Sequence, residues 1–407
     1  MVSTFMMLQP RLFFFTLLWL CLSQPLFAAE TPAKAPPATT QAEAQTAAQP
    51  IPAPPSVAAR AYALMDFHSG DILVQNNADQ RMEPASLTKL MTAYAVFKEL
   101  ATGKIKLTDQ ASISEKAWRT EGSRTFVKVN TKVGLEDLLK GMIVQSGNDA
   151  TVALAEHAAG SEESFVALMN QHAKEIGMEH SHFTNSTGLP DPELYVTAAD
   201  MAKLARALIR DFPEYYKWYS VKEFTYNGIT QYNRNKLLWR DVGVDGVKTG
   251  HTDSAGYCLI ASAKHGDMRL ISVVLGAESE NSRAKESEQL LNYGFRFYET
   301  HALYAAGKPL GTARVWKGVS RDLPLGLSED LYVTVPRGQY KNLAAALEVD
   351  MRIIAPVGKG ERHGAVKVSL GDKMLATRPL VALQDIAQGG WWRRWVDTVK
   401  LWFAKPI

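Results

Sequence analysis

A serine and a lysine three positions apart on a helix stand on one face, about 5–6 Å between their Cβ atoms. A serine hydroxyl is a weak nucleophile until a base takes its proton, and a neutral amine beside it can do that. Ser86-Leu87-Thr88-Lys89 has this spacing, at the head of a run with apolar residues at Leu87, Leu90, Met91, Tyr94 and Phe97. A solvated helix face has the same spacing, and the chain repeats it at Ser282 and Lys285, where no nucleophile is expected. The chemistry therefore depends on partners. Ser146-Gly147-Asn148 lies at the end of a helical run, where a hydroxyl and an amide can point into a cleft. Lys248-Thr249-Gly250 lies on a strand-like stretch, where Gly250 allows close approach of a ligand backbone. An unperturbed lysine has a pKa of about 10.4, so Lys89 must be desolvated and repelled by a like charge before it can act as a base. Lys248 is the expected like charge.

Positioning these groups falls to a mixed set of elements. Tyr62 to Asp66, a turn at His68-Ser69-Gly70-Asp71 and Ile72 to Val74 read as a β-hairpin. Pro84 precedes the Ser86 turn. Leu135, Leu138, Leu139, Met142 and Ile143 sit at helical spacing, and the run stops at Ser146 to Asp149, with Gly147 as the breaker and Asn148 able to turn the chain. Helical runs follow over 150–159, 162–176 and 198–209, with a loop at Asn185 to Pro190. Strand-like runs 257–263 and 268–275 precede a helix over roughly 282–298. Helices between a hairpin and returning strands give an α+β fold, a sheet flanked by helices. From His301 the texture changes to short alternating runs separated by turn signals, a small all-β domain. It holds no catalytic cluster, so spacing or protein contact is its expected role.

The ends of the chain differ from both. Residues 1–28 carry one basic residue, Arg11, an apolar run, and then Ala28-Ala29, the pattern of a secretory signal. Without that segment Cys258 is the one cysteine, which excludes an internal disulfide. Of the 26 residues from Glu30 to Pro55, 8 are Ala and 7 are Pro, and Ile51 is the sole bulky apolar residue. This stretch is expected to be a mobile tether. The segments expected are thus a signal over 1–28, a linker over 29–56, a catalytic domain over 57–298, a β domain over 299–388 and an amphipathic helix over 389–407. In that last helix Trp391, Trp392, Trp395, Val396, Val399, Trp402 and Phe403 share an arc of about 140°. Arg393, Arg394, Asp397, Lys400 and Lys405 take the rest. This suits the surface of a membrane with anionic lipids, and the alternative is docking of the apolar arc on the β domain.

Other chemistries find little support. No mature serine sits in Gly-x-Ser-x-Gly, and no His-Glu-x-x-His or phosphate loop occurs. His180 and His182 lack a nearby third ligand, so no metal or other cofactor is expected. A net charge of +3 is too mild for a nucleic-acid footprint.

Ser86-x-x-Lys89, Ser146-x-Asn148 and Lys248-Thr249-Gly250, in that order and 60 and 102 residues apart, are together far more specific than any one alone. This triple marks penicillin-binding proteins and class A β-lactamases. From about Ala61 to the last residues the chain resembles a low-molecular-mass penicillin-binding protein, a serine-type D-alanyl-D-alanine carboxypeptidase. The likeness includes Pro84 to Thr92, Gln145 to Ala150, Asp245 to Thr252 and Asn292 to Tyr298. The β domain and terminal helix resemble those of the membrane-attached members. The resemblance implies a penicillin-binding-protein/β-lactamase-like catalytic domain on the outer, periplasmic face of the cytoplasmic membrane. It implies removal of the terminal D-alanine from peptidoglycan pentapeptide stems and acylation by penicillins. Ser86 would be the nucleophile and Lys89 its base. Ser146 would relay the proton to the departing D-alanine with the help of Lys248, and Asn148 would hold the substrate amide. The backbone N–H groups of Ser86 and His251 would form the oxyanion hole, with Thr249 and Arg283 receiving the free carboxylate. A class A β-lactamase needs a glutamate for deacylation, in the pattern Glu-x-x-Asn, and none lies between Asn148 and Lys248. D,D-endopeptidase or transpeptidase activity would use the same acyl-enzyme. A non-catalytic peptidoglycan-binding scaffold is disfavoured by the intact set of five polar residues. The loop Thr120 to Lys132 departs from the family pattern and is expected beside the site.

Overall fold

In the computed structural model, residues 51–240 and 243–403 are described. A signal over 1–28 and most of the linker lie outside them. Five antiparallel strands form the central sheet, in the order Ile72–Asn76, Ala61–Asp66, Met268–Ala277, Gly256–His265, Val244–Thr252. The last strands return to the first hairpin, with Ala63 opposite Val273 and Leu64 opposite Ser272. Side chains alternate across a strand, and here both faces are apolar. Ala63, Met65, Cys258, Ile260, Ile271 and Val273 face one core. Leu64, Leu259, Ala261, Leu270 and Val274 face the other.

The first core is filled by helices Lys89–Ala101, Asn148–Ala159, Glu162–Glu175 and Ala198–Asp211. The Lys89–Ala101 helix is buried along almost its whole length, from Leu90 through Phe97, so it is the axis of this layer. The second core is covered by the Glu280–Phe297 helix. Ile51 and Val57 also pack there, and the Tyr293 hydroxyl donates to the Pro52 carbonyl at 2.8 Å. The end of the linker is therefore pinned rather than mobile. Its one bulky apolar residue is what it has to bury.

Ser146 departs from expectation as well. The Leu135–Lys140 helix widens into a π turn over Gly141–Gln145, and the chain reverses at Ser146 with φ 68°. Gly147 has an ordinary φ of −62° and the next helix starts at Asn148. Gly147 is needed for space: a Cβ there would lie 2.0 Å from Thr125 Oγ1. The serine, not the glycine, carries the left-handed turn.

The β region holds a six-stranded sheet around Val315, Leu323, Leu325, Val366, Val368 and Leu380. A separate strand, Tyr298–Tyr304, pairs with Leu331–Pro336. It meets the catalytic region through polar contacts: Thr300 Oγ1 donates to Asp66 at 2.6 Å, and the Ser69 and Thr334 hydroxyls are 2.8 Å apart. The final helix, Trp391–Phe403, leaves Trp391, Trp392, Trp395, Trp402 and Phe403 exposed. Its one buried residue is Asp397. The apolar arc thus does not dock on the β region. No helix of the described residues is long and apolar enough to cross a membrane.

Candidate active site

A 3-10 turn, Ala85–Thr88, carries Ser86 into the Lys89–Ala101 helix. Ser86 is half-buried, while Lys89 is 1% exposed. The Lys89 amine donates to Ser86 Oγ at 3.0 Å and to the Thr187 carbonyl at 2.7 Å. Thr187 belongs to a loop folded around the Asn185 side chain, whose Oδ1 accepts from the N–H groups of Thr187 and Gly188. One turn along the helix, Thr92 donates to the Ser186 carbonyl at 2.6 Å. Gly188 has φ +84°, and a Cβ on it would lie 1.8 Å from the Ala85 carbonyl oxygen. This segment, expected only as a loop, packs against the nucleophile turn.

Burial pushes the Lys89 amine down to about 7 from its usual 10.5, and the Arg234 guanidinium adds repulsion, with Asp149 opposing. Arg234 is thus a like charge acting on Lys89 that joins the expected one, Lys248. Lys248 is itself held well below 10.5, first by burial and then by Lys89, Arg234 and Arg283. Repulsion between two buried amines is mutual, so Lys89 and Lys248 each disfavour the other's charged form. Lys248 donates to its own Thr249 carbonyl at 2.9 Å.

The Val244–Thr252 strand packs on the nucleophile turn at Gly250. A Cβ there would lie 2.9 Å from the Pro84 carbonyl oxygen. Gly250 therefore admits the protein's own turn, where approach of a ligand was expected, and this brings His251 beside Ser86. Arg283 is not an exposed residue at a helix start. It is 5% exposed, and its guanidinium donates to the Gly250 carbonyl at 3.0 Å and lies 3.5 Å from Glu280. Ser86, Ser146, Arg234, Thr249, His251 and Arg283 line one cavity of about 340 Å³. Two guanidinium groups, Arg234 and Arg283, line it with one carboxylate, Glu280, and the Lys89 and Lys248 amines lie buried beside it, so the cleft favours an anionic ligand.

Ser146 Oγ and Asn148 Oδ1 are buried without a hydrogen-bond partner among the described residues. Buried polar atoms are rarely left so, and both are acceptors or donors in waiting. The Asn148 amide donates to the Glu121 carbonyl, and its N–H to that of Ser123 at 2.6 Å. Asp149 gathers the same loop, accepting from the N–H groups of Thr125, Phe126 and Val127 at 2.7, 2.8 and 3.1 Å. The stretch from Thr120 therefore lies against the site, as expected, and Ser123 joins the cavity wall.

Sequence reasoning missed Arg234, Ser123 and the Thr187 carbonyl. Arg234 stands between Asn233 and Asn235, both buried. Asn235 donates to the Gly246 carbonyl at 3.0 Å, tying this segment to the strand that bears Lys248. Nothing in the spacing signalled that tie.

Comparison with known proteins bears on the same regions. The D-alanyl-D-alanine carboxypeptidase family profile matches residues 44–279, and that of the penicillin-binding protein 5 C-terminal domain matches residues 298–388. The chain is 47% identical to the D-alanyl-D-alanine carboxypeptidase DacC of Escherichia coli, over 86% of this chain and 89% of that protein. The structure of penicillin binding protein 5 from Haemophilus influenzae is similar at a TM-score of 0.79 and 45% identity, covering 83% of this chain and 99% of that one. Penicillin-Binding Protein D2 from Listeria monocytogenes, solved in an ampicillin-bound form, matches 60% of this chain and 100% of its own at a TM-score of 0.56 and 31% identity.

Proposed function

The chain belongs to the D-alanyl-D-alanine carboxypeptidase family, and we propose that it performs that serine-type hydrolysis through an acyl-enzyme on Ser86. The observation that carries the reading is the buried Lys89 amine, 3.0 Å from Ser86 Oγ and with its pKa drawn down to about 7. An amine so placed is neutral in a substantial fraction near pH 7 and can take the serine proton. Ser86 Oγ then adds to the carbonyl carbon of the penultimate D-alanine. Backbone N–H groups of Ser86 and His251 stabilise the oxyanion, charge that exists only on the way through the reaction. Collapse expels the terminal D-alanine amine, which receives the proton through the unpartnered hydroxyl of Ser146. Water, activated by Lys89, then cleaves the ester.

Substrate recognition divides between two kinds of group. Asn148 Oδ1, free to accept, takes a substrate amide N–H. Thr249 and Arg283 take the free carboxylate that a carboxypeptidase must read, a guanidinium being suited to it. Lys248 contributes to the same positive field, and anion binding favours its protonated form. A β-lactam presents an amide carbonyl and a carboxylate to the same groups, which is the basis for reading Ser86 as the site of penicillin acylation.

The protein is read as exported and peripheral, with its substrate the pentapeptide stems of peptidoglycan at the outer face of the cytoplasmic membrane. Support comes from the outward tryptophan face of the last helix and from the basic residues Arg394 and Lys400 beside it. Tryptophan and basic side chains match the apolar boundary and anionic head groups respectively. The domain limits at residues 28, 56, 298 and 388 belong to the same reading. Mass spectrometry after labelled penicillin tests the central step. The adduct is expected on Ser86, and an adduct on Ser282, or none, overturns the assignment.

A further inference from the structure

An amphipathic helix at the end of a chain ordinarily buries its apolar stripe against its own domain. The Trp391–Phe403 helix does the reverse. Asp397 is 5% exposed while Trp391 and Trp402 are 78% and 86% exposed. A buried carboxylate needs hydrogen-bond donors. The Asp397 carboxylate accepts from the backbone N–H of Lys317 at 2.7 Å. Lys317 has φ 59°, a left-handed conformation that side chains other than glycine seldom take. That turn is clamped from two further sides. The Gly389 N–H donates to the Lys317 carbonyl at 2.8 Å, and Val319 donates to the Ala387 carbonyl at 2.9 Å. Arg393 reaches back from the helix to the Val319 carbonyl at 2.8 Å. On the helical wheel Asp397 lies opposite the centre of the tryptophan arc, so the contact that holds the helix also aims that arc outward.

We propose that Asp397 is a positioning residue: its contact with the Lys317 turn locks the last helix to the β domain polar side in, so that the catalytic cleft stands in a fixed orientation over the lipid surface. The orienting consequence rests on the membrane reading given above, while the lock itself does not. A helix held only by the chain before it would bind lipid equally well but let the body swing. A helix held at Asp397 makes the β domain a stand of set height and angle.

Spin labels at Lys341→Cys and Lys400→Cys, both exposed positions, report the angle between helix and β domain in the chain without residues 1–28, which removes Cys21 and leaves Cys258 buried. Wild type and Asp397→Asn, which keeps an acceptor oxygen, are expected to give one narrow distance distribution. Asp397→Ala is expected to broaden it and to speed amide exchange at Lys317 by about tenfold, the loss of a hydrogen bond to a charged group. Binding to vesicles of phosphatidylethanolamine and phosphatidylglycerol should survive in all three, because the tryptophan face is untouched. An unchanged distribution in Asp397→Ala overturns the proposal, as does a broad one in wild type. If wild type ignores the vesicles, the membrane reading falls, and the label distances still decide the lock. The rate of penicillin acylation, equal in the three proteins, verifies that each is folded.

Discussion

Ser-x-x-Lys occurs at residues 86–89 and again at 282–285, each time near the start of a long helix. At the first, Lys89 is 1% exposed and shares its protons between Ser86 Oγ and a loop carbonyl 98 residues away. At the second, Lys285 is exposed and Ser282 lies in the first turn of its helix, its N–H taken by Ser279 Oγ at 3.0 Å. Spacing puts two side chains on one face in both places. Burial and a second cation make a base of one lysine and leave the other a solvated charge. The difference is supplied by neighbours distant in sequence, and it can be broken piece by piece.

The largest break is at the pair itself. Ser86→Ala is expected to abolish the penicillin adduct and to lower D-alanine release by about a thousandfold or more, measured on a pentapeptide. Lys89→Ala leaves the nucleophile without its base and is expected to slow acylation by about 10²–10⁴-fold, the usual worth of a positioned base. Lys89→Ala with a wild-type acylation rate would make the first copy no different from the second.

Next in size is the floor beneath the pair. Gly188 combines φ +84° with a Cβ position 1.8 Å from the Ala85 carbonyl. Gly188→Ala must strain its own backbone and lift either the loop or the nucleophile turn. A loss of about 3 kcal/mol is expected, the sum of a left-handed alanine and overpacking. Urea unfolding measures it, and acylation should fall in the fraction that remains folded, since Thr187 moves with Gly188. Full stability in this variant would mean that the loop does not fix the Lys89 amine.

Arg234 sets how basic Lys89 is. Acylation is expected to rise with pH through about 7, where the Lys89 amine loses its proton. Arg234→Ala removes a like charge, so the amine holds its proton to higher pH and the acid limb moves upward. At pH below the limb the rate should drop by about threefold. The pH profile of penicillin acylation separates this from weaker binding, which lowers the whole curve without moving it. Stability carries the same sign. The folded amine titrates near 7 and the unfolded one near 10.5, so the unfolded chain binds more protons between them. Stability therefore rises with pH across that window, and the full penalty of the buried charge is felt below it. An acid limb unmoved by Arg234→Ala would leave the role of like charge to Lys248 alone.

What could be read in the sequence were contacts made over short spans. Ser86 with Lys89, Ser146 with Asn148, and Lys248 through His251 each lie within four residues of chain, so local geometry limits their mutual position. The hairpin, its return strands and most helices follow from periodicity. Arg234, Ser123 and the Thr187 carbonyl reach the site only because separate segments pack together, and no local pattern records that. The turn at Ser146 misled for a related reason. Glycine is the usual left-handed residue, but Gly147 answers to Thr125 across the cleft wall. Asp397 looked like one more polar residue on a solvated arc. Only its burial against the Lys317 turn shows that the middle of that arc faces inward.

The smallest expected effect is also the control for the rest. Ser282→Ala with Lys285→Ala removes the second pair entirely. Alanine favours a helix slightly more than either residue, and Lys285 is exposed while Ser282 is half-buried at the helix start. Stability should stay within about 0.5 kcal/mol, the range of surface changes, and penicillin acylation within about twofold. Arg283 lies between the two positions with its guanidinium on the Gly250 carbonyl. A larger loss confined to the substrate KM would therefore mean that the second pair helps to set the arginine in place. A loss in kcat for acylation would mean that the spacing alone carries chemistry, and the contrast between the two copies would fail.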